Sequence, residues 1–117
     1  MPAELNYQAQ KELLESLISN TQEFEHRHPS DIAKILKEVY HEDGFETFLS
    51  YLRKIPEEHL GEVLLELPEH LKDDALEALS VQKLADVVDE LDSDDAADLI
   101  QDIAELDSQK RKRYYLT

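Results

Sequence analysis

The chain repeats one pattern in four consecutive segments: IPEEHLGEVLLE (residues 55–66), LPEHLKDDALEA (67–78), LSVQKLADVVDE (79–90) and LDSDDAADLIQD (91–102). Every segment opens with an apolar residue, and its ninth and tenth positions are apolar as well. The eighth position is acidic in every copy, as Glu62, Asp74, Asp86 and Asp98. A fixed period is typical of stacked small units, and a repeated acidic position predicts a stripe of carboxylates along the stack.

A period of twelve excludes one straight helix. At roughly 100° per residue, twelve residues overshoot whole turns by about 120°, so the apolar face would spiral around the rod. The second position of each segment suits a helix start, because it holds Pro56, Pro68, Ser80 or Asp92. Helices this short are unstable alone in water. We therefore predict an all-α solenoid, or superhelix, of short helices with a roughly 12-residue repeat, each unit being a turn of about three residues and a helix of about nine.

The composition supports a single helical domain. The chain has 117 residues with only two glycines, and its β-branched residues form no alternating runs. It contains no cysteine, which excludes disulfides and thiolate metal sites. No apolar run approaches the roughly 20 residues that cross a bilayer, and no signal peptide is visible. We expect no direct membrane insertion by this chain.

The charge is strongly acidic. Asp and Glu number 28 against 12 Lys and Arg, which gives a formal net charge of −16. Such a surface repels nucleic acid and anionic lipid, and it attracts cations or a basic partner. A solvated acidic face that only confers solubility is the alternative interpretation.

The flanks of the repeats divide the chain into three parts. Residues 1–27 are predicted to form an N-terminal capping helix, which covers residues 2–24 and packs across the first units. Residues 28–108 are predicted to form the superhelix. The basic tail, 109–117, is expected to pair with the acidic units or to act as a linker toward further domains.

Within the superhelix, three local signals set further boundaries. Ser30 is a predicted N-cap for a helix over residues 31–40. Asp43 and Gly44 predict a turn. The last helix is expected from about Asp94 to Leu106.

The sequence shows no catalytic constellation. It lacks a glycine-rich phosphate loop and a serine in a nucleophile-elbow context. None of its five histidines is paired with another at a spacing of four on one helix, which argues against a zinc site. We therefore expect no enzymatic activity.

The remaining candidates are carboxylates. Asp94 and Asp98 are spaced i, i+4, and Asp95 and Asp98 i, i+3, so on one helix they share a face. Magnesium prefers one or two carboxylates and keeps several waters, so an open carboxylate face suits it. Glu62 occupies the same repeat position as Asp98 and could begin a second such site. The alternative is that acids at this helix start only cap amides and favour the helix dipole.

Two motifs resemble a known family. The stretch His28–Ala33 (HPSDIA) is similar to the HPADIA opening of the cytosolic N-terminal domain of the MgtE magnesium transporter/channel family. Leu67-Pro68 and Glu62–Leu64 resemble its repeat units, and Leu91–Leu99 resembles its LD-x-DDAADL segment. The resemblance covers roughly residues 28–107.

The resemblance implies a fold and a role. The family's domain is a right-handed superhelix that precedes a pair of CBS domains and a dimeric membrane channel, on the cytoplasmic side of the inner (plasma) membrane. Mg²⁺ binds between superhelix and CBS domains, keeps the cytosolic part compact and favours the closed pore. Carried over by motif, the metal ligands fall on Glu62, Asp94 and Asp98, with Asp95 as a neighbour. The resemblance thus implies Mg²⁺ and the CBS and channel domains of a full-length homodimer as partners.

A second function remains open from the residues. The flagellar rotor switch protein has similar short helical repeats, so the fold alone does not decide. In that case the chain is an interaction scaffold with no ion role, and its acidic position docks a basic partner.

Overall fold

The computed structural model describes residues 6–116, and the side chains of residues 6–107. Helices follow one another along this part of the chain, and it contains no strand, which confirms the all-α prediction. The elements are α1 (Tyr7–Ser19), a 3₁₀ helix (Thr21–His26), α2 (Pro29–Asp43), α3 (Phe45–Lys54), α4 (Glu57–Glu66), α5 (Glu69–Ala78), α6 (Val81–Asp89) and α7 (Ser93–Leu116). None of these helices combines the length and the apolar character that a membrane span requires.

The four last helices begin at residues 57, 69, 81 and 93, twelve residues apart. A two-residue connection precedes each of the first three: a buried apolar residue in extended conformation, then Pro56, Pro68 or Ser80. The prolines, at φ −58° and −55°, sit where no backbone N–H is needed. The Ser80 side chain accepts a 3.1 Å hydrogen bond from the backbone N–H of Lys83 and so caps α6. The first two units are thus ten helical residues plus two connecting residues, a longer helix and a shorter turn than expected.

The repeat positions set the core. The ninth position is buried in all four segments, as Val63, Ala75, Val87 and Leu99. These side chains point inward together with buried residues of α1, α2 and α3, so one continuous core runs through the described helices. Each connection changes the direction of the chain, so the apolar face of every short helix is turned toward the core.

The predicted N-terminal helix over residues 2–24 is wrong in its extent. α1 ends at Ser19, Asn20 leaves the helical conformation (φ −132°, ψ 83°), and a separate 3₁₀ helix follows. Three consecutive residues of low helix propensity, 19–21, favour this break. The break also lets Phe24 bury its ring, which stacks on His59 of α4 at 5.6 Å between centroids. Residues 1–5 of the predicted capping helix lie outside the described residues.

Polar contacts join α1 to α2 and α3. Lys11 forms a 3.1 Å ion pair with Asp43 at the end of α2, and Tyr7 donates a hydrogen bond to the same carboxylate. The Tyr51 hydroxyl of α3 donates a 2.7 Å hydrogen bond to Glu15. α1 therefore packs on α2 and α3.

α2 is longer than predicted. His28 takes the N-cap position with Pro29 in the first turn, and Ser30 lies inside the helix, because proline's fixed φ suits the first helical position. The predicted turn is observed at Gly44, whose φ of 90° ends the helix and whose N–H donates to the Tyr40 carbonyl at 3.0 Å.

α7 also exceeds its prediction. It continues past Leu106 to Leu116, so the backbone of residues 109–116 of the tail belongs to this helix. The side chains of residues 108–116, and Thr117 entirely, lie outside the described residues.

Candidate functional site

Three of the four candidate metal ligands lie together at the start of α7. Asp94 and Asp95 are in its first turn, and Asp98 follows one turn later. Asp94 and Asp98 are exposed, and Asp95 is half-buried. Among the side chains of residues 6–107, none forms an ion pair or a hydrogen bond with these carboxylates. The positive end of the helix dipole favours their negative charge.

Glu62, the fourth candidate ligand, lies on α4. Its exposed side chain lines a cavity of about 280 Å³ whose other walls come from the 3₁₀ helix, α2 and α4. Glu25 and Arg27 are in the lining, and so is His59, three residues before Glu62 on the same helix. None of the α7 carboxylates belongs to this lining. Glu62 and the α7 carboxylates therefore lie on two different helices, α4 and α7, which pack against each other.

A close packing contact joins the segments that carry these positions. Gly61 is buried in α4, and a Cβ at this residue would lie 2.7 to 2.9 Å from three side-chain atoms of Leu91. Leu91 belongs to the connection that leads into α7. Sequence reasoning missed Gly61. The available signal was a glycine at a repeat position that otherwise holds Asp73, Ala85 and Ala97, two of them small.

The acidic face of α7 is held against α5 by one ion pair. Lys72 Nζ lies 2.8 Å from the Asp102 carboxylate, and both side chains are largely covered. Asp102 follows Asp98 by one helical turn. Lys72 therefore pairs with Asp102 and not with Asp94 or Asp98. On α5, burial raises the pKa of Asp73, and the neighbouring carboxylates of Glu69 and Asp102 raise it further. The surroundings of this ion pair are therefore rich in negative charge.

The repeated acidic position forms a surface feature. Glu62, Asp74 and Asp98 are exposed, and Asp86, which accepts a 3.1 Å hydrogen bond from Gln82, is half-buried. Each of these positions has a further carboxylate three or four residues away on the same helix: Glu58, Glu77, Asp89 and Asp94, respectively.

No closed metal centre exists among the described side chains, residues 6–107. No three His, Cys, Asp or Glu residues in that range are near enough to hold one ion. The imidazole of His59 is stacked on Phe24, and its Nε2 atom lies 3.9 Å from Glu58, too far for a hydrogen bond. The carboxylates of α7 instead form an open face. Such a face fits Mg²⁺, which takes one or two carboxylates and retains several waters.

Comparison with known proteins gives one clear finding. The family described as MgtE intracellular N domain matches residues 27–115, most of the chain and all four repeated segments. Searches of curated proteins and of solved structures gave no match.

Proposed function

The chain belongs to the MgtE intracellular N-domain family, and is thus the intracellular N domain of a magnesium transporter; from this premise we propose that it senses cytosolic Mg²⁺. Asp94 and Asp98 bind the ion, with Asp95 beside them and Glu62 as a second position. The sites are completed by CBS domains of the same full-length protein. Bound Mg²⁺ favours the closed state of the channel.

The observation that carries this proposal is the open carboxylate face at the start of α7. Like charges at a spacing of i, i+4 cost a few tenths of a kcal/mol per pair, and no described side chain compensates them. The cost persists unless a cation or a basic group arrives from outside. Because no three ligands converge within residues 6–107, we propose half-sites whose remaining ligands come from a docked acidic surface.

This arrangement supplies a mechanism for sensing. Two acidic surfaces repel one another at low Mg²⁺, and hydrated Mg²⁺ between them replaces repulsion by shared coordination. Docking then depends on the ion concentration, because the ion binds the docked state better than the separated one. The ion pair of Lys72 and Asp102 keeps α7 seated on α5 while its first turns engage the ion.

The proposal extends to the architecture. The short helices of residues 28–108 wind as a right-handed superhelix, residues 1–27 cap it, and residues 109–117 lead toward the CBS domains. The full-length protein is a homodimer.

Thermal unfolding tests the proposal on this chain. Mg²⁺ is titrated into the tens-of-millimolar range at constant ionic strength with Na⁺ as the balancing salt, and Ca²⁺ serves as a comparison. We expect the midpoint to rise and saturate, with a gain in the free energy of unfolding of about 1.4 kcal/mol when the ion reaches ten times its dissociation constant. Asp94→Ala/Asp98→Ala should remove the rise. The matched control, Glu66→Ala/Asp74→Ala, removes two exposed carboxylates elsewhere and should retain it.

Paramagnetic broadening by Mn²⁺ locates weak sites directly. Mn²⁺ shares the oxygen preference of Mg²⁺. We expect amide signals of residues 94–99 to broaden first and those around Glu62 next. Broadening that follows all four acidic repeat positions equally, with no Mg²⁺ effect beyond the sodium control, would contradict the assigned site. That result would favour the alternative of an interaction scaffold with no ion role.

A further inference from the structure

An apolar groove lies between α6 and α7. It has a volume of about 520 Å³, and the end of α5 forms its floor. Val81 on α6 is 85 % exposed and Ile100 on α7 is 52 % exposed, and both line this groove. They are the large apolar side chains that stand out as exposed among residues 6–107.

The repeat shows that this groove is an uncovered part of the core. At the tenth position, Leu64 and Leu76 are buried, Val88 is half-buried and Ile100 is exposed. The same position therefore loses its cover step by step toward the carboxyl end. Because the sequence keeps this position apolar in every copy, we infer that another apolar surface covers the last two units.

The walls have the spacing of a helix-binding groove. Val81, Leu84 and Val88 follow one another on α6 at intervals of three and four residues, and Ile100 and Ile103 do so on α7. A third helix that lies between two such rows buries its own apolar stripe against both. An amphipathic helix matches this shape.

The charged residues described in the lining of the groove are of one sign. Among residues 6–107, the ionisable residues that line it are Glu77, Asp89 and Asp107, all acidic. The nearest base on α6, Lys83, does not belong to the lining and instead forms a 3.3 Å ion pair with Glu57 on α4. An occupant with lysines or arginines beside its apolar stripe is therefore complementary, whereas an acidic one is repelled.

The groove is separate from the carboxylate face. Relative to the buried Leu99, Asp98 lies about 100° to one side of α7 and Ile100 about 100° to the other. A helix in the groove leaves Asp94 and Asp98 uncovered. We propose that the α6–α7 groove receives a basic amphipathic helix of a partner protein. The proposal stands independently of Mg²⁺ binding.

A synthetic peptide tests this proposal. The probe is a fluorescent peptide of about 18 residues, five turns of helix, with leucines at i, i+3, i+4 and i+7 and lysines on both flanks. A second peptide keeps the leucines and replaces the lysines by glutamates. Fluorescence anisotropy at physiological salt should show saturable binding of the basic peptide and none of the acidic one.

Two variants of equal charge distinguish binding in the groove from non-specific charge attraction. Ile100→Asp and Ala97→Asp each add one negative charge to an exposed position of α7. Charge attraction alone would strengthen binding to both. Docking in the groove predicts that Ile100→Asp weakens binding by about tenfold or more, since it places a charge on the apolar contact, while Ala97→Asp does not.

Val81→Asp is an independent test. Its position is 85 % exposed, so the substitution leaves the buried core unchanged. It should weaken binding of the basic peptide as Ile100→Asp does. Equal or tighter binding of the peptide to these variants, or equal binding of the acidic peptide, would overturn the proposal. So would self-association of the free chain in sedimentation that Ile100→Asp abolishes, because the occupant would then be a second copy.

Discussion

Gly61→Ala should destabilise the protein although alanine is the better helix former. Gly61 lies inside α4, where replacing glycine by alanine ordinarily gains about 1 kcal/mol. Here the added methyl group would lie 2.7 Å from Cδ2 and 2.8 Å from Cγ of Leu91. Cγ is close to the backbone, so a rotation of the side-chain end does not relieve the contact.

The expected magnitude follows from the two opposing effects. Overpacking a tight contact costs about 1 to 3 kcal/mol, against the propensity gain of about 1 kcal/mol. The net change in the free energy of unfolding is a loss of about 0 to 2 kcal/mol. For a domain of this size each kcal/mol shifts the melting temperature by about 4 °C, so we expect a decrease of up to about 8 °C.

A double-mutant cycle with Leu91→Ala separates the effects. In the Leu91→Ala background the space is open, and Gly61→Ala should stabilise by about 1 kcal/mol through propensity alone. Ala97→Gly, at the same repeat position but exposed, measures the propensity effect in this protein. Equal stabilisation by Gly61→Ala in both backgrounds would refute the claim that Gly61 is required for the close approach of α4 to the connection before α7.

Three further substitutions test local contacts. Asp73→Asn should raise the melting temperature at pH 7, because burial and neighbouring carboxylates raise the pKa of Asp73; the gain should vanish below the ordinary value of 3.8, where the carboxyl is protonated in both folded and unfolded chains. Tyr51→Phe removes the hydrogen bond to Glu15 and should cost about 1 to 3 kcal/mol in denaturant unfolding. Burial, and after it the hydrogen bond to Glu15, raise the pKa of Tyr51 to about 12, so the parent should lose this stability as pH rises from 10 toward 12, and the Phe variant should not. Ser80→Ala removes the cap of α6 and should cost about 1 kcal/mol, whereas an unchanged melting temperature would show that the cap contributes nothing.

The sequence predicted the features that depend on local chemistry. Proline and serine at the second repeat position mark helix starts, and the structure has helix starts directly after Pro56, Pro68 and Ser80. The break at Asn20 was missed, because it depends partly on the burial of Phe24 against a distant helix. The uncovered end of the core was missed for the same reason, since burial depends on which helices lie above a residue.

The candidate site was likewise predicted only in its local features. Helical spacing was enough to place Asp94 and Asp98 on one face. It could not give the relation of Glu62 to that face, because the packing of α4 against α7 sets it. The approach of Gly61 to Leu91 was likewise invisible to periodicity, which reports faces and not distances.

The 24 residues of α7 give the molecule a rigid rod of about 36 Å. Leu99 and Leu106 and the ion pair of Asp102 hold its first half, and about ten residues of backbone helix extend beyond Leu106. A tilt of the whole helix by about 10° about its first turn displaces its last turn by about 6 Å. The length of α7 therefore amplifies motion: a small rearrangement around its first turns becomes a displacement of several Å at its carboxyl end.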